Sequence, residues 1–231
     1  MTAVVLGAGP GLGMSIARRF ASEGHDVALV SRSAERHAGY LAELDGSPQA
    51  FVGDVRNGIE STLDRILDRF GTIDVVYYGP AAIEPDSIPA DITETTAAAV
   101  ERAMSWVYPA VGVVAKLLPG MLERGRGGFL FAGGLSAVRP MPALGALAVS
   151  SAALRNYART LHEGLAGTGV YAGSLIIGGL VERGDIHRMV TAQPETYGDA
   201  GGHTLDPDVL AGAAWKMYST QNSAESVFDV L

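Results

Sequence analysis

The residues best suited to bind a charged ligand form a glycine-rich segment near the start of the sequence. An apolar run, AVVL at 3–6, is followed at once by GAGPGLG at 7–13 and then by an amphipathic stretch. Strand, glycine turn and helix in this order offer a pyrophosphate free backbone N–H groups and the positive end of a helix dipole. A glycine turn without a ligand would have the same composition, but its place directly after the first strand favours a dinucleotide site. The residues assigned to this site are Gly7, Gly9, Gly11, Leu12 and Gly13.

The end of the second predicted strand, DVALV at 26–30, indicates which dinucleotide would bind. Ser31 and Arg32 follow this strand, where an acidic residue would bind the ribose 2′-hydroxyl of NAD. A guanidinium instead pairs with the 2′-phosphate of NADP at two points. We therefore predict NADP(H) as the cofactor, with Ser31 and Arg32 at its phosphate. The alternative for Arg32 is an ordinary exposed side chain at the start of the next helix.

A second informative segment is FLFAGGLSAVRPMPALGALAVSSAAL at 129–154. Its apolar strand, short turn, Arg-Pro pair and alanine-rich helix resemble the catalytic segment of the short-chain dehydrogenase/reductase family. The resemblance covers residues 3 to about 182. In that family a tyrosine, assisted by lysine, serine and asparagine, passes a proton while hydride moves between nicotinamide and a carbonyl carbon. The resemblance also implies further cofactor contacts, which are Asp54, Val55, Gly79, Pro80 and Gly178.

All four catalytic positions of that family are changed in this sequence. The asparagine position falls on Trp106, the serine on Gly134, the tyrosine on Leu147 and the lysine on Ser151. Loss of a positioned acid–base group typically lowers a rate by about 10²–10⁴. A shift of the alignment does not restore the group, because no lysine lies between 117 and 215 and Tyr157 is too far along its helix.

Other side chains are candidates for the missing catalytic functions, and the alternative for each is an ordinary packing or surface residue. The candidate catalytic residues are Tyr78, Tyr108, Ser136 and Ser151. The predicted substrate pocket consists of Trp106, Gly134, Leu147 and Arg183. Because tryptophan and leucine replace polar catalysts, we expect this pocket to be apolar and to bind a small apolar organic molecule.

Three functions remain open at this point. The first is a reductase with a rebuilt proton supply, and the second is a non-redox enzyme such as an isomerase, cyclase or dehydratase. The third is an NADP-binding subunit or sensor without catalysis. A retained glycine turn with changed catalytic positions favours the second and third functions. The apolar side chains at Trp106 and Leu147 shape a cavity, and they favour a small-molecule enzyme.

The elements that must position these residues follow from alternating apolar runs and helical periods along the whole chain. They predict one α/β domain over 1–231, a doubly wound Rossmann-type fold with a parallel seven-stranded sheet and helices on both faces. The predicted strands are 3–6, 26–30, 50–53, 74–78, 128–132, 170–177 and 226–231. The predicted helices are 11–23, 34–44, 59–70, 93–118, 145–166 and 207–218. The loop 178–206 is too long for a plain connection, and the family resemblance implies that it closes over the substrate, with a short helix near 185–191.

Composition excludes several other classes of function. With 17 Lys and Arg against 25 Asp and Glu, the net charge of −8 argues against a nucleic-acid partner. The chain has no cysteine, and the spacing of its His, Asp and Glu residues indicates no metal site. We see no signal-like start and no apolar run that would span a bilayer, and so expect a cytoplasmic protein without a membrane partner.

The alanines of two predicted helices bear on assembly. Family members commonly pair through these helices, here 93–118 and 145–166, and alanine permits close helix approach. We therefore predict a homodimer or homotetramer, with the alternative that the alanines pack inside one subunit.

Overall fold

The computed structural model describes residues 1–80, 89–197 and 201–231. Its strands are β1 (Thr2–Leu6), β2 (Asp26–Ser31), β3 (Gln49–Val52), β4 (Val75–Tyr78), β5 (Gly127–Gly134), β6 (Val170–Gly178), β7 (Leu180–Val181), β8 (Thr204–Leu205) and β9 (Glu225–Asp229). Its helices are α1 (Leu12–Ser22), α2 (His37–Ala42), α3 (Ile59–Phe70), α4 (Ala97–Met104), α5 (Tyr108–Arg124), α6 (Gly145–Gly164), α7 (Asp185–Thr191), α8 (Pro194–Tyr197) and α9 (Pro207–Thr220).

One seven-stranded sheet has the order β3-β2-β1-β4-β5-β6-β9, and all its pairs are parallel. The predicted doubly wound α/β fold with seven parallel strands is therefore confirmed. Parallel strands need crossover connections, which here are mostly helices. Strands β7 and β8 form a separate two-stranded pair.

Side chains that alternate along the strands build a core on each face of the sheet. In β1, Val4 and Leu6 enter the core shared with α3, α5 and α6. Ala3 and Val5 enter the opposite core, which contains residues of α1 and α9. Both sets are buried because helices cover both faces of a parallel sheet.

The single long helix predicted for 93–118 is a wrong prediction, because the structure divides this region. Helix α4 ends at Met104, a turn follows, and α5 begins at Tyr108. Pro109 lies near the start of α5 and has no N–H to donate to a carbonyl in the preceding turn. In a continuous helix its ring would also clash with that turn. The break places Trp106 in the turn instead of on a helix.

The stretch Ala97–Arg124 is long and apolar enough, by length and composition alone, to cross a membrane. The sequence had led us to expect no such stretch. It is the one such stretch among the described residues. It is interrupted at 105–107, and 33% of its most apolar window is buried. Val113, Leu117 and Met121 of α5 lie in the core, so this helix covers the sheet.

The predicted closing loop contains more regular structure than expected. The short helix predicted near 185–191 is confirmed as α7. Strand β7 pairs with β8 and so joins the two ends of this region. Residues 198–200 of the predicted loop lie outside the described residues. We call residues 180–191 the closing segment.

Candidate functional site

The glycine turn lies at the point where the strand order reverses, between β1 and β4. The Gly79 N–H donates to the Leu6 carbonyl across 3.0 Å. Gly7 has a φ of +98°, and a Cβ at this position would lie 2.7 Å from the Gly79 carbonyl oxygen. The turns that follow β1 and β4 therefore pack against each other so closely that residue 7 must be glycine. Ligands of open α/β sheets bind beside this reversal.

The remaining glycines of the turn differ in what surrounds them. A Cβ on Gly13 would lie 2.6 Å from the Gly7 carbonyl oxygen, so α1 packs directly on the turn. A Cβ on Gly11 would lie 3.0 Å from Gly184 of the closing segment. Gly9 has nothing within 4 Å of its Cβ position. The turn thus leaves an open cradle that a side chain at residue 9 would fill, and it fits a pyrophosphate group.

Two cavities with shared walls open from this turn, with volumes of about 370 Å³ and 120 Å³. Most predicted site residues line the larger cavity, namely Gly7, Gly9, Gly11, Leu12, Gly13, Tyr78, Gly79, Pro80, Trp106, Gly134, Leu147 and Ser151. The smaller cavity is lined by the predicted cofactor residues Ser31, Arg32, Asp54 and Val55, together with Gly7, Gly9 and Pro80. The fold thus gathers residues from the ends of five strands, β1 to β5, into one cleft.

The smaller cavity contains several polar and charged side chains. The Ser31 hydroxyl lies 2.7 Å from Nε2 of His37, and the Asp54 carboxylate accepts from the Arg56 N–H at 3.0 Å. Burial raises the pKa of Asp54, but the hydrogen bonds and charge of Arg56 outweigh burial and lower it. Asp54 is therefore a carboxylate at neutral pH, and Arg32 brings the opposite charge into the same cavity.

Trp106 forms part of the wall of both cavities. The guanidinium of Arg56 lies 4.3 Å from the centre of the Trp106 ring, a cation–π distance. The indole therefore lies between the smaller cavity and the larger cavity.

The larger cavity has a mostly apolar lining. Leu147 and Leu154 of α6 and Ile177 of β6 line it, and the closing segment adds Val181 and Ile186. Leu147 supplies an apolar surface at the position where the resemblance implied a tyrosine. This composition fits an apolar ligand.

Two hydroxyl groups flank Gly134 at the end of β5. A Cβ on Gly134 would lie 3.5 Å from Oγ of Ser151 and 3.6 Å from Oγ of Ser136. These serines come from α6 and from the turn after β5, and Ser151 also lines the larger cavity. Ser151 thus gives the larger cavity a hydroxyl group, whereas Ser136 lines neither cavity in the described part of the chain.

The two candidate tyrosines differ in position. Tyr78 is buried, and its hydroxyl donates to the Trp106 carbonyl. Burial, with a smaller contribution from the Asp54 carboxylate, raises the pKa of Tyr78. Tyr108 is 61% exposed and, in the described part of the chain, lines neither cavity.

Arg183 and Gly178 lie elsewhere than the sequence led us to expect. The Arg183 guanidinium bonds to Asp208 at 2.7 Å and to Asp206 at 3.3 Å, because its backbone adopts a φ of 65°. It anchors the closing segment to the start of α9 and, among the described residues, does not line the pocket. The Gly178 carbonyl accepts from the Val230 N–H at 2.9 Å, and a Cβ there would lie 2.5 Å from the side chain of Leu135. Gly178 therefore packs β6 instead of facing either cavity.

Sequence reasoning missed Tyr77 and Asp185. Tyr77 is buried on the opposite face of β4 from Tyr78, and it reaches the larger cavity beneath Gly79. Asp185 lines both cavities. An acidic residue directly after Gly184, at the start of a short predicted helix, was the available signal for Asp185. Within the described residues, no group of three or more His, Asp or Glu could hold a metal ion.

Comparisons with known proteins agree with this geometry. A sequence model described as short chain dehydrogenase matches residues 1–191. The 1-deoxy-11-beta-hydroxypentalenate dehydrogenase of Streptomyces exfoliatus is 28% identical over 221 residues, which cover 93% of this chain and 78% of that protein.

Solved structures with the same fold include two with a bound dinucleotide. L-sorbose reductase from Gluconobacter frateurii, complexed with NADPH and L-sorbose, has a TM-score of 0.85 at 20% identity and covers 99% of this chain and 94% of that one. The 3-oxoacyl (acyl-carrier-protein) reductase from Agrobacterium tumefaciens C58, with NADP bound, has a TM-score of 0.84 at 22% identity, over 99% and 92% of the two chains. At these identities the likeness establishes the fold.

Proposed function

Because this chain belongs to the short-chain dehydrogenase family, whose model matches residues 1–191, we propose that it is an NADP(H)-dependent oxidoreductase of a small apolar substrate. The observation that carries the proposal is the joining of two cavities at one glycine turn. The smaller cavity, which contains Ser31 and Arg32, meets a larger and mostly apolar cavity at Gly7 and Gly9. A dinucleotide binds through its phosphates at such a turn, and the apolar cavity receives the substrate.

Arg32 is the residue that we assign to the 2′-phosphate. It follows β2 and lines the same cavity as Ser31 and Asp54. A guanidinium binds phosphate through paired hydrogen bonds, whereas the ribose hydroxyl of NAD has no charge to attract it. Solved structures of the same fold with NADPH or NADP bound support this choice.

The hydroxyls of Ser136 and Ser151 are the groups that we assign to the substrate oxygen. They flank the Cβ position of Gly134 at 3.6 and 3.5 Å, and Gly134 and Ser151 line the larger cavity. When bound, NADP(H) donates hydride to a carbonyl carbon or accepts it from an alcohol. The serines would hold the oxygen and exchange its proton with solvent, since Leu147 has none to give. A serine hydroxyl is a weak acid, so we expect this proton transfer to limit the rate.

The proposal is tested with the purified protein, NADPH and a panel of apolar cyclic ketones. We expect slow oxidation of NADPH that is matched by formation of the alcohol. Turnover should fall in Ser136→Ala and Ser151→Ala by about 10²-fold or more, within the range for loss of a positioned proton-transfer group. Cofactor affinity should be unchanged in both variants. Substrate binding without any consumption of NADPH would contradict the proposal.

Arg32→Ala provides the cofactor control. It should weaken NADPH binding by about 1–3 kcal/mol, the range for a lost charged hydrogen bond, and leave NADH binding nearly unchanged. Equal titration curves for NADPH and NADH in the unmutated protein would contradict the assignment of NADP(H).

A second candidate function is a non-redox reaction, such as isomerisation, cyclisation or dehydration. The observation that favours it is Leu147, an apolar side chain at the position that supplies the proton in the family. Conversion of a ligand that continues when NADPH is replaced by a non-reducible analogue would support this candidate. Tight NADPH binding with neither reaction would instead support a subunit or sensor without catalysis.

Assembly as a homodimer or homotetramer in the cytoplasm completes the proposal. Tyr108, Val111 and Leu122 of α5 and Val149 of α6 are exposed apolar side chains. Ala97, Ala98 and Ala152 are exposed as well, while Ala103 packs inside the subunit. Burying this apolar surface against a second copy would stabilise a dimer through α5 and α6.

A further inference from the structure

Asp185 connects the closing segment to the loop that follows β2. One terminal nitrogen of Arg36 bonds to both carboxylate oxygens of Asp185, at 2.8 and 3.1 Å. These two residues are separated by 149 positions in the sequence. Arg188, one turn further along α7, bonds to the same carboxylate. Arg36 thus holds the closing segment against the edge of the cofactor cleft, while Arg188 bonds to the same carboxylate from within the segment.

The position of Asp185 within the cleft gives this contact its meaning. Asp185 lines the smaller cavity together with Ser31 and Arg32, the residues assigned to the 2′-phosphate. Arg36 belongs to the same loop as Arg32. An anionic side chain from the closing segment and the anionic phosphate of the cofactor would therefore meet the same arginine-bearing loop.

The charges make an exchange of partners feasible. The side chains of Arg36 and Asp185 are 51% and 35% exposed, and an ion pair this accessible to water contributes little to stability. A phosphate monoester carries nearly twice the charge of a carboxylate and three acceptor oxygens, so it binds a guanidinium more strongly. Burial acts to raise the pKa of Asp185, but hydrogen bonds from Arg36 and Arg188 outweigh it and lower the pKa, so Asp185 is charged at neutral pH.

We propose that Asp185 and the 2′-phosphate of NADP(H) are alternative anionic partners of Arg36. Arg36 is then a second determinant of selectivity for the phosphorylated cofactor, and Asp185 couples phosphate binding to release of α7. This inference rests on the proposed binding of NADP(H). NADH carries no 2′-phosphate and would leave the Arg36–Asp185 pair in place.

Direct binding titrations of NADPH and NADH test the exchange. Arg36→Met should weaken NADPH about tenfold, the effect of one lost charge-assisted hydrogen bond, and change NADH less than about twofold. Asp185→Asn removes the competing charge and keeps the shape, so it should strengthen NADPH about threefold and leave NADH unchanged. In the Arg36→Met background, Asp185→Asn should have no further effect on NADPH.

The chain offers a matched control pair. Arg139 bonds to Asp229 at 3.0 Å with similar exposure, 41% and 39%, and it lines neither cavity of the described residues. Arg139→Met and Asp229→Asn should change neither cofactor affinity. The proposal is overturned if Asp185→Asn weakens NADPH, or if it strengthens both cofactors equally. It is also overturned if Arg36→Met leaves the NADPH-to-NADH ratio unchanged.

A second measurement does not depend on any variant. Hydrogen exchange of the amides in 185–191 is compared with 2′,5′-ADP and with 5′-AMP bound to the unmutated protein. The 2′-phosphate should speed exchange in α7 relative to 5′-AMP, and equal rates would overturn the coupling. If the unmutated protein does not prefer NADPH to NADH, the proposed cofactor has failed. If it does prefer NADPH but Arg36→Met keeps that preference, the exchange alone has failed.

Discussion

The hydroxyl of Tyr78 donates a hydrogen bond to the backbone carbonyl of Trp106, with 2.7 Å between the two oxygens. Trp106 lies in the turn between α4 and α5, outside both helices. The bond therefore ties the end of β4 to the turn that carries the indole into the cleft. Because the phenol is buried, bonded and raised in pKa, we assign Tyr78 a structural role instead of a catalytic one.

Tyr78→Phe should lower the free energy of unfolding by about 1–3 kcal/mol, because it leaves the Trp106 carbonyl without its donor. Urea unfolding monitored by tryptophan fluorescence measures this change. The control is Tyr108→Phe, whose side chain is 61% exposed and whose effect should stay within about 0.5 kcal/mol. A Tyr78→Phe protein of unchanged stability that loses turnover would instead assign catalysis to Tyr78.

Replacement by alanine should affect stability at Gly13 and NADPH binding at Gly9. Gly13→Ala would bring a methyl group within 2.6 Å of the Gly7 carbonyl oxygen, and α1 would have to move. We expect a loss of stability of about 1–3 kcal/mol, typical of overpacking. Gly9→Ala meets nothing within 4 Å and should fold normally, while it weakens NADPH at the phosphate cradle.

Thermal unfolding and NADPH titration of both glycine variants make the comparison. Gly9→Ala with unchanged melting and unchanged NADPH affinity would show that the pyrophosphate does not bind at this turn.

Particular residues show which features of the fold could be predicted from the sequence and which could not. The glycine turn was predictable because its strand, turn and helix are contiguous in sequence, so local spacing fixes the geometry. The break between α4 and α5 was not predicted, although Pro109 lies next to it, because helical residue patterns continue on both sides of the break.

Contacts between distant segments leave no local pattern. The pairing of Asp185 with Arg36 spans 149 positions. Arg183 was expected in the pocket, but its positive φ turns it towards Asp208 at the start of α9. A side chain's direction in an irregular segment depends on such backbone angles and on the partners that the fold brings close.

His25 should make stability depend on pH. It is 4% exposed, both ring nitrogens lack a hydrogen-bond partner, and its ring packs edge-on against Phe20 and Trp215. Burial and then the positive N-terminus lower its pKa from 6.5, and the charge of Asp74 offsets this only in part. The neutral ring is therefore favoured in the fold.

The direction in which stability changes with pH follows from proton uptake by the unfolded chain. Below a pH of about 6.5 the unfolded chain binds a proton at His25 that the folded chain does not, so stability is full above this pH and falls as the pH decreases towards the folded pKa. His25→Phe should flatten this part of the profile. Urea unfolding at several pH values measures it, and an unchanged slope in His25→Phe would assign the dependence to other groups.

Self-association through α5 should be sensitive to charge. Val111 is 40% exposed and lies beside other exposed apolar side chains of α5. Val111→Arg should convert the predicted dimer or tetramer to a smaller species, because an arginine would be buried without a partner. The control is Val209→Arg on α9, where valine is 61% exposed. Light scattering at micromolar concentration reads the mass, and a monomeric unmutated protein would refute the assembly.

Restoring the family's catalysts at 134, 147 and 151 should create ketone reduction. The triple variant is Gly134→Ser, Leu147→Tyr and Ser151→Lys. At Gly134 a Cβ meets only Ser151 and Ser136, at ordinary contact distances of 3.5 and 3.6 Å, so a serine fits. Leu147 already lines the cavity, and the new lysine would lie one helical turn away on the same face. Its charge would lower the pKa of the new tyrosine and make it a usable acid.

We expect the triple variant to oxidise NADPH with a generic ketone at least about 10² times faster than the unmutated protein, the gain from a positioned acid. The matched control carries Leu147→Phe in place of Leu147→Tyr, which fills the same space without the hydroxyl and should show no gain. Alcohol product must equal the NADPH consumed. Normal folding and NADPH binding without any gain would mean that the bound nicotinamide does not lie beside position 147.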